Sequence, residues 1–195
     1  MKCILKAGIL LCIPILLLSA LIGCTEVYDP SSVLYPTEAG LEKTADGYLV
    51  TVRIGEELYH AAGPSFREAA DLLDLESGGK IFWKTVRIWL LSDQLSRDEL
   101  LPFFEDLMYR EPLMQCCLIT ALAPVSELLS AEKREGQLAD MVKNGTAAQK
   151  LQLLTVFSLL AQGETPPAPD AVTVRDGTLF LLPASEEPLD IPANG

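Results

Sequence analysis

Asp46-Gly47-Tyr48-Leu49-Val50-Thr51-Val52-Arg53-Ile54 is the stretch whose reading decides the fold. Asp-Gly marks a tight turn, because both residues tolerate a positive φ. Beyond it Tyr48, Val50, Val52 and Ile54 alternate with Leu49, Thr51 and Arg53, the period of a strand. Val33 to Lys43, on the other side of the turn, is the expected partner strand. After Gly63-Pro64 the period changes. Ser65 reads as an N-cap for a helix over Phe66 to Leu75, with Phe66, Ala69, Ala70 and Leu73 on one stripe and Glu68 completing a capping box. Gly78-Gly79 ends it. Ile81 to Leu91 (IFWKTVRIWLL) is rich in β-branched and aromatic residues and predicts a central strand.

The same alternation of element types continues. Ser96, with Glu99 three residues on, caps a predicted helix over Arg97 to Tyr109 whose Leu100, Phe103, Phe104 and Leu107 face inward, and Pro112 stops it. Leu113 to Leu122 (LMQCCLITAL) predicts a strand that sends Cys116 and Cys117 to opposite faces. A helix begins at Pro124 and runs through Leu129, a short charged helix follows near Lys133 to Val142, and Thr146 to Leu160 reads as an amphipathic helix. The expected fold class is α+β: a mixed β-sheet packed with several helices. Gly163 to Asp170 (GETPPAPD) is a proline-rich linker. Ala171 to Leu182 then predicts a small hairpin turning at Asp176-Gly177, followed by a polar tail. The roughly 25 residues after the linker are too few for a core of their own, so they dock on the first domain or end as a stump.

The amino terminus has a different character. Mean hydropathy over the 195 residues is +0.27, but residues 1–23 inflate it. Met1 to Lys6 is basic, and Ala7 to Gly23 is an uncharged apolar run interrupted by Pro14, the layout of an export signal rather than of a permanent membrane span. Leu21-Ile22-Gly23-Cys24 at its end has the form of a bacterial lipobox. Cleavage is expected between Gly23 and Cys24. The Cys24 thiol would carry a covalent diacylglycerol, and two or three chains in all anchor a protein stably where one does not. The expected organisation is therefore a lipoprotein signal peptide at 1–23, a tether at 24–31, an α+β domain at 32–162, a linker at 163–170 and the hairpin with its tail at 171–195. The expected location is the outer face of the bacterial cytoplasmic membrane.

Residues 24–195 hold 13 basic and 27 acidic side chains, a net charge of −14. That sign repels phosphate backbones and anionic headgroups, and argues against nucleic-acid binding and against electrostatic adhesion to a membrane. No spacing supports catalysis: Gly-x-Ser-x-Gly, Walker, His-Glu-x-x-His and Cys-x-x-Cys patterns are all missing. The single histidine, His60 in Glu56 to Ala62 (EELYHAA), reads as a solvated loop residue, and no metal site is expected. Glu56-Glu57, Glu105-Asp106 and Glu186-Glu187 lack ligand periodicity and read as solvated faces. Cys116 and Cys117 read as buried thiols, with a redox switch as the alternative, since adjacent cysteines form only a strained bridge. Trp83 and Trp89 share a strand face, as core or as a ligand or partner surface.

Several stretches together resemble the amino-terminal domain of the Ger(x)C family, lipoprotein C subunits of nutrient germinant receptors in spore-forming bacteria. They are Leu21 to Cys24; Asp46 to Ile54; Gly63-Pro64-Ser65-Phe66-Arg67-Glu68-Ala69; Ile81 to Ile88; Asp93 to Leu101; Arg110-Glu111-Pro112; and Ser126-Glu127-Leu128-Leu129. Their order and spacing agree over roughly residues 25 to 162. Thr25-Glu26 stands where the family typically has Trp-Asp, Thr85 stands near where it has histidine, and Ala171 to Leu182 resembles the opening hairpin of the family's second domain, as in a truncated relative. The resemblance implies a non-enzymatic subunit, spore-membrane anchored, contacting two multi-spanning receptor subunits and relaying a nutrient signal. It assigns no ligand or catalytic residue. The competing reading is a free-standing envelope lipoprotein that binds a small molecule or an envelope polymer through its tryptophan face.

Overall fold

The alternation around Asp46-Gly47 is realised as an antiparallel pair. In the computed structural model, which describes residues 32–111, 115–133, 136–144, 151–164 and 170–182, β2 (Glu38–Thr44) and β3 (Gly47–Ile54) are in register from Glu38↔Arg53 to Thr44↔Gly47. Gly47 sits at φ +144°, and a Cβ there would lie 2.3 Å from the Gly63 carbonyl oxygen, so only glycine fits. The expected strand over Val33 to Lys43 is broken. β1 is only Val33–Leu34, and it pairs with β5 (Lys80–Ile81) in parallel rather than continuing into β2. Pro36, between the two pieces, has no N–H to donate to a ladder.

All described residues belong to the compact unit Ser32–Gly195. Among them seven strands form a mixed sheet in the order β10-β9-β7-β6-β2-β3-β4, and β8 (Leu151–Gln152) pairs with β7 off that path. The remaining strands are β4 (Glu57–Gly63), β6 (Ile88–Ser92), β7 (Gln115–Ala121), β9 (Ala171–Arg175) and β10 (Thr178–Leu182). The steps β2-β6, β6-β7 and β7-β9 are parallel, and the outer steps on both sides are antiparallel. The helices are α1 (Phe66–Glu76), α2 (Arg97–Arg110), α3 (Val125–Ala131), α4 (Gln137–Asn144) and α5 (Leu153–Gln162). This is the expected α+β class.

The sheet is buried on both faces, which is why its strands are more continuously apolar than simple alternation requires. One core holds Phe66, Ala69, Ala70 and Leu73 of α1, Leu100, Phe103, Phe104 and Leu107 of α2, and Val156 and Leu160 of α5. The other holds Val125, Leu128 and Leu129 of α3 and Leu138 of α4. Cys116 falls in the first core and Cys117 in the second, as the strand period requires. Both predicted caps form: the Ser65 hydroxyl accepts from the Glu68 N–H at 3.2 Å, and Ser96 and Glu99 make a reciprocal box.

Four expectations need correction. Ile81 to Leu91 is not one strand, because a 3-10 turn at Trp83–Thr85 separates β5 from β6. The Thr85 hydroxyl lies 2.8 Å from both the Phe82 and the Pro36 carbonyl oxygens, so its one proton is shared between them, a side-chain-to-backbone bond that competes with a ladder. His60 lies on the edge strand β4, opposite Thr51, and not in a loop, although it is exposed as expected. The helix expected over Lys133 to Val142 spans Gln137–Asn144. The one expected from Thr146 begins at Leu153, after β8; residues 145–150 lie outside the described residues, as does Pro112.

The carboxy-terminal hairpin turns where expected. Asp176 and Gly177 both have positive φ, 53° and 68°, the pattern of a type I′ turn. β9 adds in parallel to β7 through Thr120↔Ala171 and Ala121↔Val172, and Val172 and Leu179 are buried in the second core. The hairpin thus extends the sheet and docks.

Candidate functional site

Gly23 and Cys24 lie outside the described residues, as does Glu186-Glu187. Trp83 and Trp89 are brought together, but inside. Their rings stack at 5.7 Å, Phe66 and Phe103 pack edge-on against Trp89 at 5.9 and 5.1 Å, and the tryptophans are 2% and 0% exposed. Of the two readings of the tryptophan face, core packing is the one the structure shows. Cys116 and Cys117 form no disulfide and are buried. Burial, and then the neighbouring Cys117, push the Cys116 thiol up to about 12, so it is held protonated and is a poor nucleophile. Glu56, Glu57 and Glu105 are exposed, and Asp106 pairs with Arg67. No three metal-ligating side chains converge among the described residues.

The structure builds a different cluster. β2 starts at Glu38, whose cross-strand neighbour is Arg53, and the side chains of both reach the second face of the sheet. There α3 lies close: a Cβ on Gly40 would stand 2.2 Å from Val125 Cγ1, so the missing side chain admits the helix. The end of α3 delivers Glu132. Arg53 Nε lies 3.1 Å from Glu38 Oε2 and 3.3 Å from Glu132 Oε2, within ion-pair distance of both but hydrogen-bonded to neither. The guanidinium instead donates from Nη2 to the Leu129 carbonyl. Glu38 Oε1 accepts from the Gly136 N–H at 3.2 Å, and Glu132 Oε1 accepts from the Leu138 N–H at 2.8 Å. The three side chains are 6% exposed or less, so they clasp the α3–α4 connection to the sheet.

Two carboxylates and one guanidinium cannot all be charged in a dry site without a net charge. Burial, then repulsion and hydrogen bonding from Glu132, outweigh the attraction of Arg53 and raise the Glu38 carboxyl to about 8. That raised folded value means that the folded chain holds a proton the unfolded chain releases. This contribution is level below about pH 4.5, declines as pH rises to about 8, and is level again above. Glu42 and Asp74, also raised by burial, act in the same direction. Urea unfolding midpoints measured from pH 5 to 9 should therefore fall with rising pH, and Glu38→Gln should flatten that fall; a slope equal in both chains would refute the assignment.

Chemically the cluster is an acid–base pair walled off from solvent, with no nucleophile described beside it. It suits holding two layers together rather than turnover. The sequence reading missed it, although one signal was present: counting back from the turn places Glu38 opposite Arg53, an opposite-charge pair at strand positions flanked by apolar residues. No family model, curated protein or solved structure matches this chain.

Proposed function

We propose that the chain is a lipoprotein anchored through Cys24 to the outer face of a bacterial cytoplasmic membrane, where it serves as a non-enzymatic assembly and signal-relay module akin to a germinant-receptor C subunit. The observation that carries this reading is Leu21-Ile22-Gly23-Cys24 placed straight after the apolar run Ala7 to Gly23. Both tryptophans are buried, so they do not offer a surface to the competing reading of a free-standing binding lipoprotein.

Cys24→Ala should shift the chain from the membrane fraction to the soluble fraction, or leave it as an uncleaved precursor, while the wild type sediments with membranes. Affinity capture of the wild type from sporulating cells should recover multi-spanning receptor subunits. Recovery of none, with germination on nutrients unaltered by deletion, would reject the receptor role and keep the anchor.

A further inference from the structure

The chain's negative charge is not evenly spread. Residues 31–37 and 77–92 contain no acidic side chain, although the sequence has 27 acids in all. The fold joins these two stretches. Leu34 accepts from the Phe82 N–H at 2.9 Å, Thr37 accepts from the Arg87 N–H at 2.8 Å, and a Cβ on Gly79 would lie 2.4 Å from the Ser32 carbonyl oxygen. Along the second stretch the side chains sort by chemistry: Ile81, Trp83 and Val86 are buried, whereas Lys80, Phe82, Lys84 and Arg87 are exposed. Phe82 is 39% exposed and packs edge-on against Tyr35, itself 54% exposed, at 6.0 Å. The result is a corner where Lys84 and Arg87 flank two surface aromatic rings, on a chain of net negative charge; the acid against it, Asp74, accepts from the Ile81 N–H at 2.8 Å and is offset by Lys80.

This corner is also where the chain arrives from its amino terminus. Ser32 is eight positions after Cys24, a covalent reach of at most about 28 Å. Aromatic side chains with a polar partner settle at the headgroup level of a bilayer, and exposed lysine and arginine near the surface are attracted by anionic lipids. The acidic remainder of the chain is repelled from the same lipids, so charge selects one side of the protein to face them. Resting on the lipid-anchor reading, we propose that the corner formed by β1, β5 and the Trp83–Thr85 turn is the membrane-facing surface, with Phe82 and Tyr35 in the headgroup region of an anionic bilayer and Lys84 and Arg87 against its phosphates. The lipid on Cys24 then supplies attachment, and the corner supplies orientation.

The test uses the full lipid-modified chain in phosphatidylcholine vesicles with and without phosphatidylglycerol. An environment-sensitive thiol probe is placed at Phe82→Cys or, as a control, at Phe180→Cys on β10; the buried Cys116 and Cys117 give the labelling blank. Spin-labelled lipids should quench the probe at 82 at least about twofold more than the probe at 180 in the anionic vesicles. Lys84→Glu with Arg87→Glu should abolish the difference without changing the fraction that floats with vesicles. Equal quenching at the two positions in a floating chain overturns the membrane-facing corner and leaves the anchor intact. Shielding at 82 that requires native membranes and is lost in pure lipid overturns it in favour of a protein partner. A chain that does not float has no anchor, and the proposed function falls together with this surface.

Discussion

Arg53→Met is expected to destabilise the fold by roughly 3–5 kcal/mol, because it leaves Glu38 and Glu132 buried with no cation between them. For a unit of this size that lowers Tm by roughly 10 °C. Glu38, at 1% exposure, cannot turn to water without breaking its bond from Gly136. The Leu129 carbonyl also loses the donor that Arg53 Nη2 supplies. Replacing all three side chains together, Glu38→Leu with Arg53→Met and Glu132→Leu, should be neutral or stabilising by about 1–4 kcal/mol, because the desolvation cost of the ions disappears with them. Thermal unfolding of the single and triple variants separates the two effects. A single variant as stable as the wild type would show that the cluster is not the clasp described above.

Trp89→Ala is expected to cost a comparable amount, about 3–5 kcal/mol, from lost ring contacts and the cavity left behind. Trp89 is fully buried and meets Phe66, Trp83 and Phe103, which makes it the hub of the first core. Its indole N–H has no acceptor among the described residues, so Trp89→Phe removes ring area without removing a hydrogen bond and should cost much less. The chain has two tryptophans, and both are in this stack. Their emission should be blue-shifted in the folded protein and should move to the red in a single step with the loss of helical circular dichroism. Native emission already at the wavelength of water-exposed indole would contradict the packing.

What could be read from the sequence, and what could not, follows the range of the interactions involved. The caps at Ser65 and Ser96, the inward stripes of α1 and α2, and the turn at Asp176-Gly177 depend on residues within four positions of each other, and all form; the first hairpin turns one residue earlier than expected, at Ala45-Asp46, with Gly47 opening β3 opposite Thr44. The broken strand over Ile81 to Leu91 was not legible, because the Thr85 hydroxyl reaches the Pro36 carbonyl 49 residues away. His60 looked like a loop residue because an exposed edge strand has only one buried face to impose alternation, and in β4 only Ala61 is fully buried. Trp83 and Trp89 do share a face, but through a turn that carries Trp83 back onto the core rather than along a strand. The Glu38–Arg53–Glu132 cluster joins a hairpin to the end of a helix about 80 residues later, so a reading along the chain does not bring its members together. The lipobox needs no fold to be read, and it carries the function proposed for the chain.

The central claim, that Cys24 bears lipid and begins the mature protein, is tested most directly by the intact mass of the chain extracted from membranes. The account predicts the mass of residues 24–195 plus a diacylglyceryl group, with or without a further acyl chain. An unmodified polypeptide that still begins at Met1 would contradict it.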